Sequence, residues 1–148
     1  MPQIASGLFT VTRVPAAVQS APLQPDSVQP DSASPEVYGI GRTLLHKVWS
    51  GDLSGHSTVE MLSSLNTELG SGAYVALEGV TAVLQGRSGT FVFCHLGVQH
   101  GGHQTLDYRI VPDSAAGELV GLTGHLELVV EDGQHHYTLT YTLPDSLA

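Results

Sequence analysis

The sequence predicts an all-β protein, an antiparallel barrel or sandwich, and three observations carry that expectation. From Tyr38 onward, apolar and polar residues alternate with period two. Glycine-rich turns break the alternation at intervals of roughly 8–15 residues. No segment shows a helical moment; "GELVGL" at 117–122 is long enough for a single turn at most.

The first strand is expected at 6–13. Segment 15–36, "PAAVQSAPLQPDSVQPDSASPE", follows it with prolines at 15, 22, 25, 30 and 35 among Ser, Gln, Asp and Ala. Proline at this density continues neither a ladder nor a helix, so a long, mobile loop is expected after strand one. Further strands are expected at 40–50, 53–64, 72–85, 89–98, 104–111, 123–131 and 135–143, rich in Val, Thr, Leu, Tyr and Phe. Between them lie "SGD", "LGSG", "QGRSG", "HGGH", "VPDSAAGEL" and "EDGQ". In "YTLTYTL", Tyr137, Leu139, Tyr141 and Leu143 share one face. Eight such strands could close and leave no edge exposed.

The chain of 148 residues is expected to form a single domain, 1–148, able to bury a core without staples. Hydrophobic content of 41% against 13% charged residues describes a soluble globular protein. A net charge of −9 with five Lys and Arg, spread along the chain, argues against nucleic acid and anionic membrane surfaces. Cys94 is the single cysteine, which excludes an internal disulfide and a cysteine-based metal cluster. No apolar run is long enough for a membrane helix, and "MPQIASGLFTVTRV" lacks a secretory leader. A cytoplasmic protein is the expectation.

The elements "GAYVALEGVTAVLQGRSGTFVFCHLG", "DYRIVPDSAAGELVGLTG" and "YTLTYTL" together resemble a bacterial family, domain of unknown function 3224. The resemblance covers roughly 38–143 and includes a glutamate, G-R-x-G-[ST]-F, a histidine–glycine step and G-x-G-E-L-x-G-L-x-G. Ala115 stands where that last motif usually has glycine, and the Pro-rich insertion departs from the pattern. The resemblance implies an eight-stranded antiparallel barrel akin to allene oxide cyclase and dirigent proteins. It implies no settled function.

Chemistry is sought in polar residues that interrupt apolar runs. Glu78 breaks "AYVALEGVTAVL" and shares a face with Tyr74, Ala76, Val80 and Ala82. If that face lines the barrel, Glu78 is a buried carboxylate, a residue type enriched at functional sites; on the outer face it is a solvated charge or an ion pair with Arg87 or Arg109. His95 is in phase with Phe91 and Phe93, either as a buried neutral imidazole or as an acid–base partner of Glu78. Pairing about an 86–88 turn would place position 78 near 96, so these two residues would be diagonal or on opposite faces. Asp107 and Arg109 alternate with Leu106, Tyr108 and Ile110, as on a half-exposed strand with a cross-strand ion pair. Histidines 95, 100, 103, 135 and 136 do not converge by spacing, so no metal is expected, and no cofactor motif is present. "EDG" at 131–133 is a hairpin turn whose Asp132 is also prone to succinimide chemistry.

Three functions are compatible with these residues. The first is binding of a small apolar ligand in or at the mouth of the barrel, oriented by Glu78, His95, Tyr74, Tyr108, and Arg87 or Arg109. The second is a cofactor-free enzyme with Glu78 and His95 as acid and base, of cyclase, isomerase or hydrolytic type, including self-cleavage near Asp132. The third is a packed barrel acting through self-assembly into a homo-oligomer.

Overall fold

Side-chain alternation along the chain sends one residue in two into a common interior, and the strands that result are long enough to wrap around it. The computed structural model describes residues 2–14 and 39–144, so the loop expected at 15–36 lies outside the described residues. In chain order the strands are β1 (Gln3–Arg13), β2 (Gly41–Gly51), β3 (Leu53–Asn66), β4 (Ser71–Leu84), β5 (Arg87–His100), β6 (His103–Ile110), β7 (Ala116–Gly117), β8 (Thr123–Glu131) and β9 (Gln134–Thr142). Among the described residues there is no helix.

Eight strands close into an antiparallel barrel in the order β1–β2–β3–β4–β5–β6–β8–β9, with β9 returning to β1. Two-residue β7 is an addition, pairing Gly117 with Gly89 and Ala116 with Thr90 of β5. Closure gives each of the eight strands a neighbour on both sides. The seam between β6 and β8 is the thinnest, with the single pair Arg109↔His125.

Inward positions bury Phe9, Trp49, Phe91, Phe93, Tyr137 and Leu139 in one continuous core. The end of the barrel near the β2–β3 and β4–β5 turns is plugged by Leu53, Leu84, Leu119 and Leu122, each at most 1% exposed. The sequence segment "AAGELVGLTG" builds this plug. Gly89 and Gly117 allow their backbones to touch: a Cβ on Gly89 would lie 2.1 Å from the Ala116 carbonyl oxygen. Glu118 accepts hydrogen bonds from the Ser88 backbone N–H (2.8 Å) and hydroxyl (3.3 Å). At the opposite end, inward-pointing Val11 and Leu106 regain exposure, to 37% and 38%.

The β4–β5 hairpin differs from the sequence expectation in its register. Its turn is Gln85–Gly86, with φ of 47° and 94°, and Leu84 pairs with Arg87, so β5 begins two residues earlier than expected. Two positive φ values in a two-residue loop match the right-handed twist of the flanking strands. The ladder continues without a bulge from Leu84↔Arg87 to Gly72↔Gln99, which places Glu78 opposite Phe93 rather than near position 96.

Candidate functional site

Glu78 points into the barrel and is 0% exposed. Its neighbours on both strands explain the burial: Val59 of β3 and Phe93 of β5 flank it in register. An unpaired carboxylate there would cost several kcal/mol, and the fold supplies four donors instead. Oε1 accepts from Tyr108 Oη (2.5 Å), His95 Nε2 (3.1 Å) and Lys47 Nζ (3.2 Å), and Oε2 accepts from Ser57 Oγ (2.6 Å). Trp49 Nε1 in turn donates to Ser57 Oγ at 3.0 Å, which orients the serine hydroxyl toward the carboxylate.

His95 lies diagonal to Glu78 across the β4–β5 ladder, because Ala76 is its direct partner. The imidazole stacks on the Tyr108 ring with centroids 4.0 Å apart. With Nε2–H donated to Glu78, Nδ1 is left as an acceptor, and Tyr74 Oη lies 2.9 Å from it. A chain of hydrogen bonds therefore runs from the buried carboxylate through His95 to Tyr74. Tyr74 is part-buried and stands over Gly97, where a Cβ would come within 2.5 Å of its ring.

Lys47 completes the cluster from β2. Its ammonium donates to Glu78 and, at 2.7 Å, to Tyr108 Oη, and stands 4.3 Å from the centre of the Phe9 ring. Glu78 and Lys47 are unequal partners. Burial pushes the carboxyl up, but the His95 hydrogen bond, the Lys47 charge, Ser57 and Tyr108 outweigh it and hold the group at about 2, against an ordinary 4.5. For Lys47, with two acceptors and one face on an aromatic ring, burial wins over Glu78 and lowers its pKa. Burial and then the Glu78 charge push Tyr74 up to about 12 and Tyr108 well above its ordinary value.

The structure thus brings together Glu78, His95, Tyr74 and Tyr108 of the residues singled out in the sequence. Lys47, Ser57 and Trp49 were missed. Arg109 is elsewhere: it is exposed on the outer wall and bound to Asp107 of its own strand at 2.9 Å, not to a residue across the ladder. Arg87 is exposed at the plugged end, at the far end of the β4–β5 ladder from Tyr74. Asp132 takes φ of 54° in the β8–β9 turn. His100 and His103 pair across the β5–β6 hairpin, and His135 stacks on Phe9. Among the described residues no group of three or more His, Cys, Asp or Glu could hold a metal ion.

A concavity lies on the outside of the wall. It is a groove of ≈ 1010 Å³ over β3, β4, β5 and β6, lined by outward side chains that include Leu62, Val75, Leu77 and Leu96. The sheet separates it from Glu78.

Comparison with known proteins places this barrel among relatives of equally open function. No curated protein matches the chain. Residues 5–141 match the family described as protein of unknown function (DUF3224). A crystal structure of a protein of unknown function from that family, from Shewanella oneidensis MR-1, is similar with a TM-score of 0.81 and 33% identity, covering 99% of this chain and 100% of that one. The family match and the structural likeness agree along nearly the whole chain, and it belongs to the DUF3224 family.

Proposed function

We propose that this protein binds a small, largely apolar molecule at the end of the barrel where Val11 and Leu106 are exposed, with Tyr74 and His95 as its polar anchor. The observation that carries the reading is the hydrogen-bond chain from fully buried Glu78 to part-buried Tyr74. A buried ion pair is weak as a stabilising device, and an apolar filling of similar volume would serve stability as well or better. Buried charge with a fixed outlet toward one end is the arrangement of a binding or reacting site. Because the Tyr74 hydroxyl donates inward to His95, its oxygen faces a ligand as an acceptor. The ligand class is therefore an apolar body carrying one hydroxyl or N–H donor.

Carboxylate, imidazole and phenol in this order also match a base held by an acid group, the basis of an enzymatic reading. Binding is favoured over that chemistry by the phenol itself. With a pKa of about 12, Tyr74 is ionised to only about one part in 10⁵ at pH 7. The likeness to cyclase and dirigent barrels is an analogy of fold and brings no reaction to this chain. A free Cys94 fits a cytoplasmic setting.

Native mass spectrometry of protein purified from its own host tests the reading. A bound small molecule is expected on the wild-type chain, absent from Tyr74→Phe, and retained by Leu77→Asp, which alters only the outer groove. The bare mass of the chain in every preparation would remove the ligand.

A further inference from the structure

The inside of the barrel has a charge balance that the rest of the chain does not share. The sequence carries 14 Asp and Glu against five Lys and Arg. Yet Glu78 is the single Asp or Glu at an inward position of the eight barrel strands; the other acids of those strands, Glu60, Asp107, Glu127 and Glu131, alternate outward. The inward phase also holds three cations. Lys47 is paired with Glu78. Arg87 lies at the plugged end beside Ser88, which binds Glu118. Arg13, in phase with buried Phe9 on β1, is the third.

Arg13 stands at the mouth. It belongs to the cross-strand row Arg13–Leu45–Val59–Glu78, along which exposure rises from fully buried Val59 and Glu78 to exposed Arg13. Its Nη2 donates to Thr43 Oγ1 at 3.5 Å. Thr43, 9% exposed, is an inward residue of β2, so the guanidinium leans over the interior and not onto the outer wall. Among the described residues no carboxylate forms an ion pair with Arg13, including Glu131 and Asp132 at the neighbouring β8–β9 turn. Glu78 and Lys47 balance each other, which leaves the mouth with one uncompensated positive charge.

We infer that the molecule bound at the Tyr74 end is a monoanion, an apolar carboxylate, and that Arg13 holds its carboxyl group. The inference rests on the reading of that end as a binding site and narrows what it takes. A cationic ligand would meet Arg13 without an acid to offset it, and a dianion would lack a second cation. The planar guanidinium fork matches a carboxylate with two parallel hydrogen bonds. Arg13 and Thr43 lie on β1 and β2, and Tyr74 on β4; β2 and β4 are about 10 Å apart at sheet spacing. The carboxylate is therefore a separate group from the hydroxyl or N–H that Tyr74 accepts. The class is an apolar acid with a donor several bonds away from its carboxyl.

Extraction and native mass spectrometry of the full chain purified from its own host test the inference. The compound extracted from the wild type is expected to carry one carboxyl group, counted as a single methyl added by diazomethane. Titrated back onto the emptied chain, the acid should bind about tenfold or more tighter than its methyl ester, the effect of a charge-assisted hydrogen bond. Arg13→Gln should erase that difference, and Arg13→Lys, with charge but no fork, should keep part of it. Arg87→Gln, at the plugged end, should leave it at wild-type size. Arg13 and Arg87 are exposed, so the thermal midpoints of all three variants should match the wild type. A compound that Tyr74→Phe loses but that has no carboxyl, or whose ester binds as well as the acid, overturns the role of Arg13 and leaves the Tyr74 site standing. An acid preference undiminished in Arg13→Gln does the same. A bare chain in every preparation removes both.

Discussion

Glu78→Gln keeps the shape of the buried carboxylate and removes its charge, and the structure gives the size of the effect. A glutamine oxygen at the Oε1 position can still accept from Tyr108, His95 and Lys47, while its amide donates to Ser57 Oγ. Hydrogen-bond shape is thus largely conserved, and the loss is electrostatic. The carboxyl is held at about 2 against an ordinary 4.5. That difference corresponds to about 3 kcal/mol favouring the ionised form in the folded protein. Breaking a buried pair by removing one partner costs about 3–5 kcal/mol, because the other charge is left alone. Lys47 can escape part of that penalty, since burial already favours its neutral form. The expected loss at pH 7 is about 2–4 kcal/mol, read as a lower urea midpoint at unchanged m-value. Adding Lys47→Met should recover part of it, with a coupling energy above about 1 kcal/mol.

The pH dependence has a defined sign. A carboxyl lowered on folding stabilises the protein fully above its ordinary 4.5, and the contribution is lost as pH falls through about 2. Lys47, also lowered, makes stability rise with pH over a window that ends near its ordinary 10.5. Glu78→Gln should therefore flatten the acid limb and keep the alkaline one. A variant within about 0.5 kcal/mol of wild type at pH 7, with an unaltered acid limb, would refute the reasoning.

Other expectations follow from the plug, the hairpin and the serine. Gly89→Ala drives a methyl into the Ala116 carbonyl and should cost about 1–3 kcal/mol by displacing β7, measured as a fall in thermal midpoint. Arg87→Ala, at an exposed position, should leave both stability and any bound ligand within experimental error of wild type. Ser57→Ala leaves Trp49 Nε1–H and one carboxylate oxygen without a partner; it should cost about 1–3 kcal/mol and change the fluorescence of Trp49.

Period-two patterning made the strands legible, because most inward residues are apolar and a charged or imidazole side chain among them stands out. Glu78 and His95 were found by that contrast. Lys47 was missed although the same rule reaches it: it is in phase with Trp49, and a lysine sharing the face of a tryptophan is the signal. Ser57, in phase with Leu53 and Val59, hides because a small hydroxyl residue does not interrupt an apolar face. Register was the harder quantity. A two-residue turn at Gln85–Gly86, rather than one centred further along, decides that Glu78 and His95 meet on one face. The plug depends on non-local pairing, Gly117 on Gly89, which local periodicity does not encode.

The central claim is that Glu78 is an ionised carboxylate sealed inside the barrel by Lys47, His95, Ser57 and Tyr108. Carbon-detected NMR of the glutamate side-chain carboxyls through an acid titration tests it most directly, with Glu78→Gln assigning the resonance. The account predicts a Glu78 signal that stays at its ionised position well below the ordinary 4.5 and moves only as pH approaches about 2 or the protein unfolds. A Glu78 carboxyl that titrates at 4.5 in the folded protein would contradict it.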